Sequence, residues 1–480
     1  MLGIILAFSA FFRLYRLNQL LGFWYDQGRD ALVIWDLLHY HKFFLIGPVT
    51  GIDGVFLGPF YYYLLALLYW LGRGSPVFAA AGLVWLTVGA VFLVYFLARK
   101  IYNGKVGLLA AFLYGFSSTL VVFSRWLSNP EPLPFFTLLV LLCLYFWMEK
   151  RQDWFLVPAA FILGLCLQLE AASAVFFLPA AVIFLFWQRR IVRRPVILLL
   201  ALLAFSITLL PQMIFNWRHD GILFAAFKKF LVTDRSFRFS FVQTLKDRCL
   251  IYYDAFAGKF FAGHKFFKMT VLALFSAGLW FSRQKVLNQG GKLLAIWLLT
   301  PLVCFLFYHG NHGYVWDYYF TGYIPAFVIL FSAGVFYLMK KWRFLGLFLA
   351  IFLLFFVFLN LRELRNYYVA GMGISLRAQL KAIDWIYTDA GSEEFNVDVY
   401  VPPQIYFAYS YLFHWYGAGR YGREPATVPV KNLYTLAEPD GEHPQFLAQW
   451  LARQDRIGKI VKNYSWGDIT VQKRERQIYE

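Results

Sequence analysis

The chain has 480 residues, of which 60% are hydrophobic and 15% charged, and its formal net charge is +18. Soluble globular proteins carry roughly 45–50% apolar and about 25% charged residues, so the composition excludes a soluble fold and predicts a polytopic membrane protein. Residues 362–480 hold 14 basic and 14 acidic side chains, so the basic excess lies in residues 1–361. Basic residues between apolar helices set topology and contact anionic lipids, and no nucleic-acid partner is expected.

About eleven apolar runs approach the roughly 20 residues that a helix needs to cross the hydrocarbon core. The first is expected to be an anchor helix and not a cleaved signal, because no small-residue cleavage site follows it. The candidate spans centre on residues 1–17, 76–98, 105–123, 132–148, 154–169, 171–187, 195–215, 268–282, 292–308, 318–339 and 343–360.

Lysines and arginines in alternate short loops predict the orientation, because such loops face the cytoplasm. These residues are Arg99, Lys100, Lys105, Lys150, Arg151, Arg189, Arg190, Arg193, Arg194, Arg283, Lys285, Lys292, Lys340, Lys341 and Arg343. The other loops are then predicted to lie outside, including the first loop (18–75), the long loop (216–267) and the C-terminal tail. The long loop is itself basic, but long loops obey the rule weakly.

Residues 58–72 form a further apolar run that is too short to span and would reverse the parity of every later loop. They are therefore predicted to form an interfacial or re-entrant helix, with Tyr61 at the level of the lipid headgroups. Residues 362–480 have the composition of a small soluble α/β domain. Helical spacing over Leu376–Tyr387, alternation over Asn396–Val401 and a terminal hairpin near residues 459–471 predict its elements.

The most informative charges follow the first span, in the sequence FWYDQGRDALVIWDLL. On a helix, Asp26, Arg29 and Asp30 share one face. A carboxylate at the edge of an apolar cavity, with a cation one turn away, is suited to deprotonate a hydroxyl and to hold a phosphate. The alternative is that Asp26 only caps the helix that follows it.

Two further outer segments carry polar residues at the membrane edge. The sequence SRWLSNPEPLP places Arg125, Asn129 and Glu131 beside prolines. Prolines are also common where a helix simply begins, so the segment is explained as well without a functional role. Glu170 interrupts two apolar runs, where it is either functional or an interface residue that breaks a helix.

The late turn HGNHGYVWDYYF offers His309, His312, Tyr318 and Tyr319. Without a third ligand, hydrogen bonding is the favoured role for the histidines over metal binding. The long loop contributes Lys228 and Lys229, which suit either a lipid-borne substrate or simple membrane adhesion. No phosphate-binding loop or dinucleotide fingerprint is present, so a nucleotide donor is not expected.

These motifs, in this order, resemble the GT-C glycosyltransferases, in particular glycosyltransferase family 39 (the protein O-mannosyltransferases) and the lipid A aminoarabinose transferases. The resemblance covers most of residues 1–361. It rests on RLYRL and DQGRD, on GPVTG and FLGPFYYYLLA, and on ARKIYNGKVGLLAAFLY, SRWLSNPEPLP and WDYYFTGYIPA.

The resemblance implies an inverting transfer of a sugar from a polyprenyl-phosphate donor to a hydroxyl of a lipid, protein or glycan acceptor, on the outer face of a cell membrane. It implies Asp26 as the base and Arg29 at the donor phosphate. Gln27 stands where the family usually has a second acid. Leu57 and Gly58 replace the Glu-Lys of the aminoarabinose transferases, and Asn129 replaces an Asp. No cofactor is expected, and a divalent metal is left open.

Arg125, Lys228 and Lys229 are the further candidates for the donor phosphate. The candidate substrate contacts are Asp30, Tyr61, Asn129, Glu131, Glu170, His312, Tyr318 and Tyr319. Two other readings stay open: a transporter or flippase for a lipid-linked glycan, and a non-catalytic scaffold whose outer domain binds glycan. The absence of a visible inverted repeat and the gathering of acids at one face favour the enzyme.

Overall fold

The computed structural model describes residues 1–51, 54–190, 192–229, 241–261, 264–308, 313–342, 344–371, 373–402 and 405–476. Helices make up most of this part of the chain, and a small sheet lies near its C-terminus, so the predicted helical architecture with a small C-terminal α/β part is confirmed. The number of helices that cross a membrane stays a prediction.

The helices of the N-terminal part are α1 (Leu2–Leu14), α2 (Leu17–Leu20), α3 (Tyr25–Tyr40), α4 (Phe60–Leu71), α5 (Pro76–Ile101), α6 (Gly104–Phe116), α7 (Ser118–Phe123), α8 (Leu133–Lys150), α9 (Leu156–Leu169), α10 (Ala171–Ala174), α11 (Phe177–Trp187), α12 (Pro195–Arg218), α13 (Ile222–Lys228), α14 (Phe241–Ala257), α15 (Lys265–Val286), α16 (Gln289–Phe305), α17 (Ile324–Lys341) and α18 (Leu345–Ala370).

Each of the eleven predicted spans coincides with one of these helices or with two successive ones. Within the described residues, five helices are long and apolar enough to cross a membrane: α5, α8, α12, α17 and α18. Helices α1 and α2 meet α3 at 88°, so α3 leaves the direction of the first span. The predicted interfacial segment is the 12-residue helix α4.

The long helices differ in how much of their apolar surface the protein itself covers. The most apolar stretch of α17 is 72% buried, whereas that of α12 is only 11% buried. An uncovered apolar helix needs a lipid partner. We therefore expect α17 to lie inside the bundle and α12 to face the bilayer.

The C-terminal part contains α19 (Leu376–Ala390), β1 (Phe395–Tyr400), α20 (Phe407–Leu412), α21 (Gly419–Tyr421), β2 (Asn432–Ala437), α22 (Pro444–Ile457), β3 (Gly458–Trp466) and β4 (Ile469–Arg476). The strands form one sheet in the order β1-β2-β4-β3, in which β1 and β2 are parallel and the other pairs antiparallel. The predicted helix, strand and terminal hairpin coincide with α19, β1 and the β3–β4 pair. Helix α18 continues nine residues beyond residue 361, so the predicted boundary marks a change in composition inside a helix.

Helix α3 is held against the C-terminal domain at short range. A methyl group added at Gly28 would lie 2.2 Å from the backbone nitrogen of Ala408 in α20, so only glycine allows this approach. The backbone N–H of Leu376 also donates to the carbonyl of Leu21 at 2.8 Å. These contacts bring the first loop and the C-terminal domain together around the start of α3.

Candidate active site at the start of helix α3

The start of α3 is fixed by Gln27. Its side-chain oxygen accepts the backbone N–H of Trp24 at 3.1 Å, and its amide donates to the carbonyl of Leu127 at 3.0 Å. The first contact satisfies a backbone group at the helix end, and the second ties the helix to the next loop. Gln27 is buried, and both the oxygen and the nitrogen of its side-chain amide are hydrogen-bonded to backbone groups. It therefore orients α3, at the position where the resemblance to the glycosyltransferases implies a second acid.

One turn of α3 brings Asp26, Arg29 and Asp30 into contact, as their spacing predicts. Arg29 Nη1 lies 2.8 Å from Asp26 Oδ1, while Nε and Nη2 donate to Asp30 Oδ1 at 3.0 and 2.8 Å. Asp30 receives a third hydrogen bond at 3.0 Å from the hydroxyl of Tyr62, in α4. The guanidinium is thus held mainly through Asp30, and the contact of Tyr62 with Asp30 was not predicted from the sequence.

The two carboxylates of this cluster differ in their exposure. The side chain of Asp26 is 64% exposed, whereas that of Asp30 is 7% exposed. Burial raises the pKa of Asp30 to about 6, although the charge of Arg29 and the bonds from Arg29 and Tyr62 oppose the shift. Asp26 is the carboxylate that an external molecule can reach.

Glu170 lies between α9 and α10 and caps α10. Its oxygens accept the backbone N–H groups of Ala172 and Ser173 at 3.1 and 2.8 Å, and the hydroxyl of Ser173 as well. Burial raises the pKa of Glu170 to about 7, against these hydrogen bonds. Asn129 lies alongside, because its amide donates to the carbonyl of Leu169 at 2.6 Å.

Helix α4 connects the segment of Glu170 to α3. The backbone N–H of Phe60, at the start of α4, donates to Oε1 of Gln168 at 3.0 Å, two residues before Glu170. Tyr318 and Tyr319 lie in the short turn Asp317–Phe320, which contacts α10 just after Glu170. The ring of Tyr319 contacts that of Tyr318 edge to face, with centroids 4.9 Å apart. Of the predicted residues, the structure thus brings Asp26, Arg29, Asp30, Asn129, Glu170, Tyr318 and Tyr319 to one region of the molecule.

Arg125 is bound to the end of the first span. Its Nη1 donates to the carbonyls of Phe12, Arg13 and Tyr15 at 3.1, 2.9 and 2.8 Å, and the side chain is buried. These carbonyls belong to the C-terminal end of α1, where a cation is favourable. Nε and Nη2 have no hydrogen-bond partner among the described residues. The contacts of Nη1 favour a structural role for Arg125, and its assignment as a phosphate ligand stays a prediction.

Tyr61 and Glu131 are buried, and the Tyr61 hydroxyl and one oxygen of Glu131 have no hydrogen-bond partner among the described residues. Lys228 and Lys229 are exposed, at and just after the C-terminal end of α13. His312 lies outside the described residues. In the part of the chain that it describes, the structure does not join these five residues to the start of α3 by a hydrogen bond or ion pair, and their assignments as substrate or phosphate contacts stay predictions.

Lys259 is a buried cation beside these loops that was not predicted as a site residue. Lys259 is 7% exposed and forms an ion pair with Asp317, directly before Tyr318. Nothing in the sequence distinguishes Lys259 from the other basic residues of the long loop. Among the residues that the structure describes, no group of three or more His, Cys, Asp or Glu side chains is placed to hold a metal ion.

Residues 57–215 match the family model described as dolichyl-phosphate-mannose-protein mannosyltransferase. This segment begins after the acidic cluster and includes α4 and the Arg125 loop. A comparison with curated proteins finds no match.

Among solved structures, the chain is similar to ArnT from Cupriavidus metallidurans. The apo structure of ArnT aligns with a TM-score of 0.61 and 12% identity, over 98% of this chain and 97% of that one. The structure of ArnT bound to undecaprenyl phosphate aligns with a TM-score of 0.59 and 10% identity, over the same shares. At these identities the likeness concerns the fold.

The chain thus shares its fold with ArnT, and about a third of it matches a mannosyltransferase family model. Both findings agree with the resemblance to the GT-C glycosyltransferases that the sequence motifs predict. The chemistry of the site and the molecules that it uses are separate questions.

Proposed function

We propose that the chain transfers a sugar from a polyprenyl-phosphate donor to an acceptor hydroxyl at the outer face of a cell membrane. The observation that carries this proposal is the exposed carboxylate of Asp26, paired with Arg29 at a domain junction. The undecaprenyl phosphate bound to ArnT and the dolichyl phosphate in the family description support a lipid phosphate as the leaving group.

In the proposed reaction, Asp26 accepts the proton of the acceptor hydroxyl as that oxygen attacks C1 of the sugar. The bond between C1 and the phosphate oxygen breaks, and the polyprenyl phosphate leaves with the electron pair. Attack from the face opposite the leaving group inverts the anomeric configuration. General base catalysis of this kind contributes about 10²–10⁴-fold to a rate.

Arg29 is proposed to stabilise the negative charge that develops on the departing phosphate. Asp30 holds two of its donors, Nε and Nη2, and therefore acts as a positioning residue. Only Nη1 contacts Asp26. A phosphate that enters beside Asp26 meets a guanidinium whose plane is already fixed, which reduces the cost of ordering it.

The proposal is tested by sugar transfer from a panel of polyprenyl-phosphate sugars, using the full chain reconstituted in vesicles. The variant is Asp26→Asn, and the matched control is Asp36→Asn. Asp36 lies on the same helix, is 41% exposed and pairs with Lys42. Loss of transfer in Asp26→Asn alone supports the proposal. Transfer that survives in Asp26→Asn contradicts the choice of base, and no transfer by the wild type from any donor contradicts the proposed function. Lipid-glycan translocation, the rival activity, is then measured in the same vesicles.

A further inference from the structure

A cavity of about 220 Å³ lies between the start of α3 and the C-terminal domain. The first loop contributes Trp24 and Tyr25, which directly precede Asp26. The C-terminal domain contributes Tyr406 and Tyr409 from the region of α20, with Glu438 just after β2. The cavity therefore adjoins the proposed base on the side that belongs to the C-terminal domain.

The polar groups of this cavity are buried and have unused capacity to accept hydrogen bonds. Glu438 is 6% exposed, and its Oε1 accepts both the hydroxyl of Tyr409 at 2.7 Å and the amide of Gln379 at 3.4 Å. Its other oxygen receives no donor from the described residues. Burial raises the pKa of Glu438, although both hydrogen bonds oppose that shift.

Gln379 adds a second free acceptor. Its side-chain nitrogen donates to the carbonyl of Phe23 at 2.9 Å as well as to Glu438, so the network itself assigns which end of the amide is the oxygen. The residue is 1% exposed, and its Oε1 has no partner in the part of the chain that the structure describes. A buried polar atom without a partner costs about 1–3 kcal/mol, so it signals a missing hydrogen-bond donor.

The other residues that line the cavity indicate which kind of molecule supplies this hydrogen-bond donor. Four aromatic rings surround the polar groups, and the described residues that line the cavity include no lysine, arginine or histidine. Phosphates and sugar acids need cations, which this cavity does not provide. A neutral pyranose offers hydroxyl donors at its rim and apolar C–H faces that pack on aromatic rings.

We propose that this cavity binds a neutral saccharide unit of the acceptor, whose hydroxyls donate to Glu438 and Gln379 while its ring packs against Tyr406. The inference rests on the proposed function, because it assigns the acceptor side of the same site. A cavity of about 220 Å³ has room for one pyranose ring. The acceptor that the inference assigns is therefore a glycoconjugate with an uncharged sugar held next to the start of α3, where Asp26 directly follows Tyr25.

Saccharide binding can be measured without any transfer reaction. The full chain in detergent is titrated with methyl α-D-mannopyranoside, methyl β-D-glucopyranoside and methyl β-D-galactopyranoside, followed by saturation-transfer NMR. Methyl β-D-glucuronide is the anionic control. We expect saturation transfer to the ring protons of at least one neutral glycoside and none to the glucuronide.

Tyr406→Ala tests the location, because Tyr406 is 48% exposed and its truncation leaves the core intact. Tyr40→Ala is the matched control, at a tyrosine 63% exposed at the far end of α3. We expect at least a tenfold loss of affinity in Tyr406→Ala, no change in Tyr40→Ala, and an unchanged Tm in both. Glu438→Gln keeps the size of the side chain and is expected to weaken binding by a smaller factor.

Three results overturn the inference: no saturation transfer from any neutral glycoside, equal affinity in Tyr406→Ala and wild type, or equally strong binding of the glucuronide. Its failure and the failure of the proposed function are distinguishable. If the chain transfers no sugar but binds a neutral glycoside that Tyr406→Ala no longer binds, the saccharide site is supported and the proposed transferase function is contradicted. If the wild type transfers sugar but binds no neutral glycoside, the transferase function is supported and the saccharide site is contradicted.

Discussion

The start of α3 and the Arg125 loop look alike in the sequence but differ in the folded chain. Each has an arginine near an acid, at the end of an apolar segment that is predicted to lie outside. In the first, Arg29 bridges two carboxylates, and one of these, Asp26, is 64% exposed. In the second, Arg125 is 3% exposed and bound to three backbone carbonyls. A charge that stays accessible can meet an external molecule, whereas a buried charge bound to backbone carbonyls is expected to be structural.

The largest expected effect concerns Asp26. Replacing it with Asn removes the proton acceptor while keeping the shape of the side chain, so the transfer rate should fall by about 10³-fold. The measurement is single-turnover transfer with saturating donor. Because the side chain is mostly exposed, the Tm should stay within a degree or two of the wild type.

The next effect concerns Arg29, whose replacement by Met removes the charge proposed to stabilise the departing phosphate. Loss of one such group costs about 10²–10³-fold in kcat. Arg29→Lys should recover part of this rate, because the charge returns but the contacts of Nε and Nη2 to Asp30 do not. A Lys variant no better than Met would show that the charge itself contributes nothing.

Arg125 should behave in the opposite way. Arg125→Met leaves three buried carbonyls at the end of α1 without their donor, which costs about 1–3 kcal/mol of stability. The thermal midpoint should fall, while transfer per folded molecule stays within about twofold of the wild type. A large loss of turnover at unchanged stability would restore Arg125 as a substrate residue.

The smallest expected effect concerns pH and Glu170. Its pKa rises from an ordinary 4.5 to about 7 on burial, so between these values the folded chain keeps a proton that the unfolded chain loses. Stability should therefore decrease as pH rises through this window. Glu170→Gln should flatten that slope by a few degrees in Tm between pH 5 and 7.5, and the exposed Glu149→Gln should not. Parallel slopes in wild type and Glu170→Gln would contradict the burial of an ionisable group there.

The helices were predictable because their signal is local. Apolar runs in the sequence predicted the approximate position of the helices that coincide with the candidate spans. The spacing of Asp26, Arg29 and Asp30 predicted that these three residues share one face of a helix. The partners of Arg125 lie more than 100 residues away in sequence, and nothing in its own segment indicates them. The same applies to Tyr62, which reaches Asp30 from α4.

The acceptor cavity could not be predicted from the sequence. Trp24, Gln379, Tyr406 and Glu438 come from four separate stretches of the chain, and the packing of α20 on Gly28 brings the first and third of these stretches together. From sequence alone, the aromatic residues of the tail are explained better by core packing than by a carbohydrate site. Only folded geometry distinguishes Tyr409, which is buried, from Tyr406, which is half exposed.

The most direct test measures Asp26→Asn and Arg125→Met side by side, recording transfer per folded molecule and thermal midpoint for each. The account predicts that Asp26→Asn loses transfer by about 10³-fold and keeps its midpoint, whereas Arg125→Met lowers its midpoint and keeps its transfer. Transfer that persists in a folded Asp26→Asn chain would contradict the central claim that this exposed carboxylate is the base.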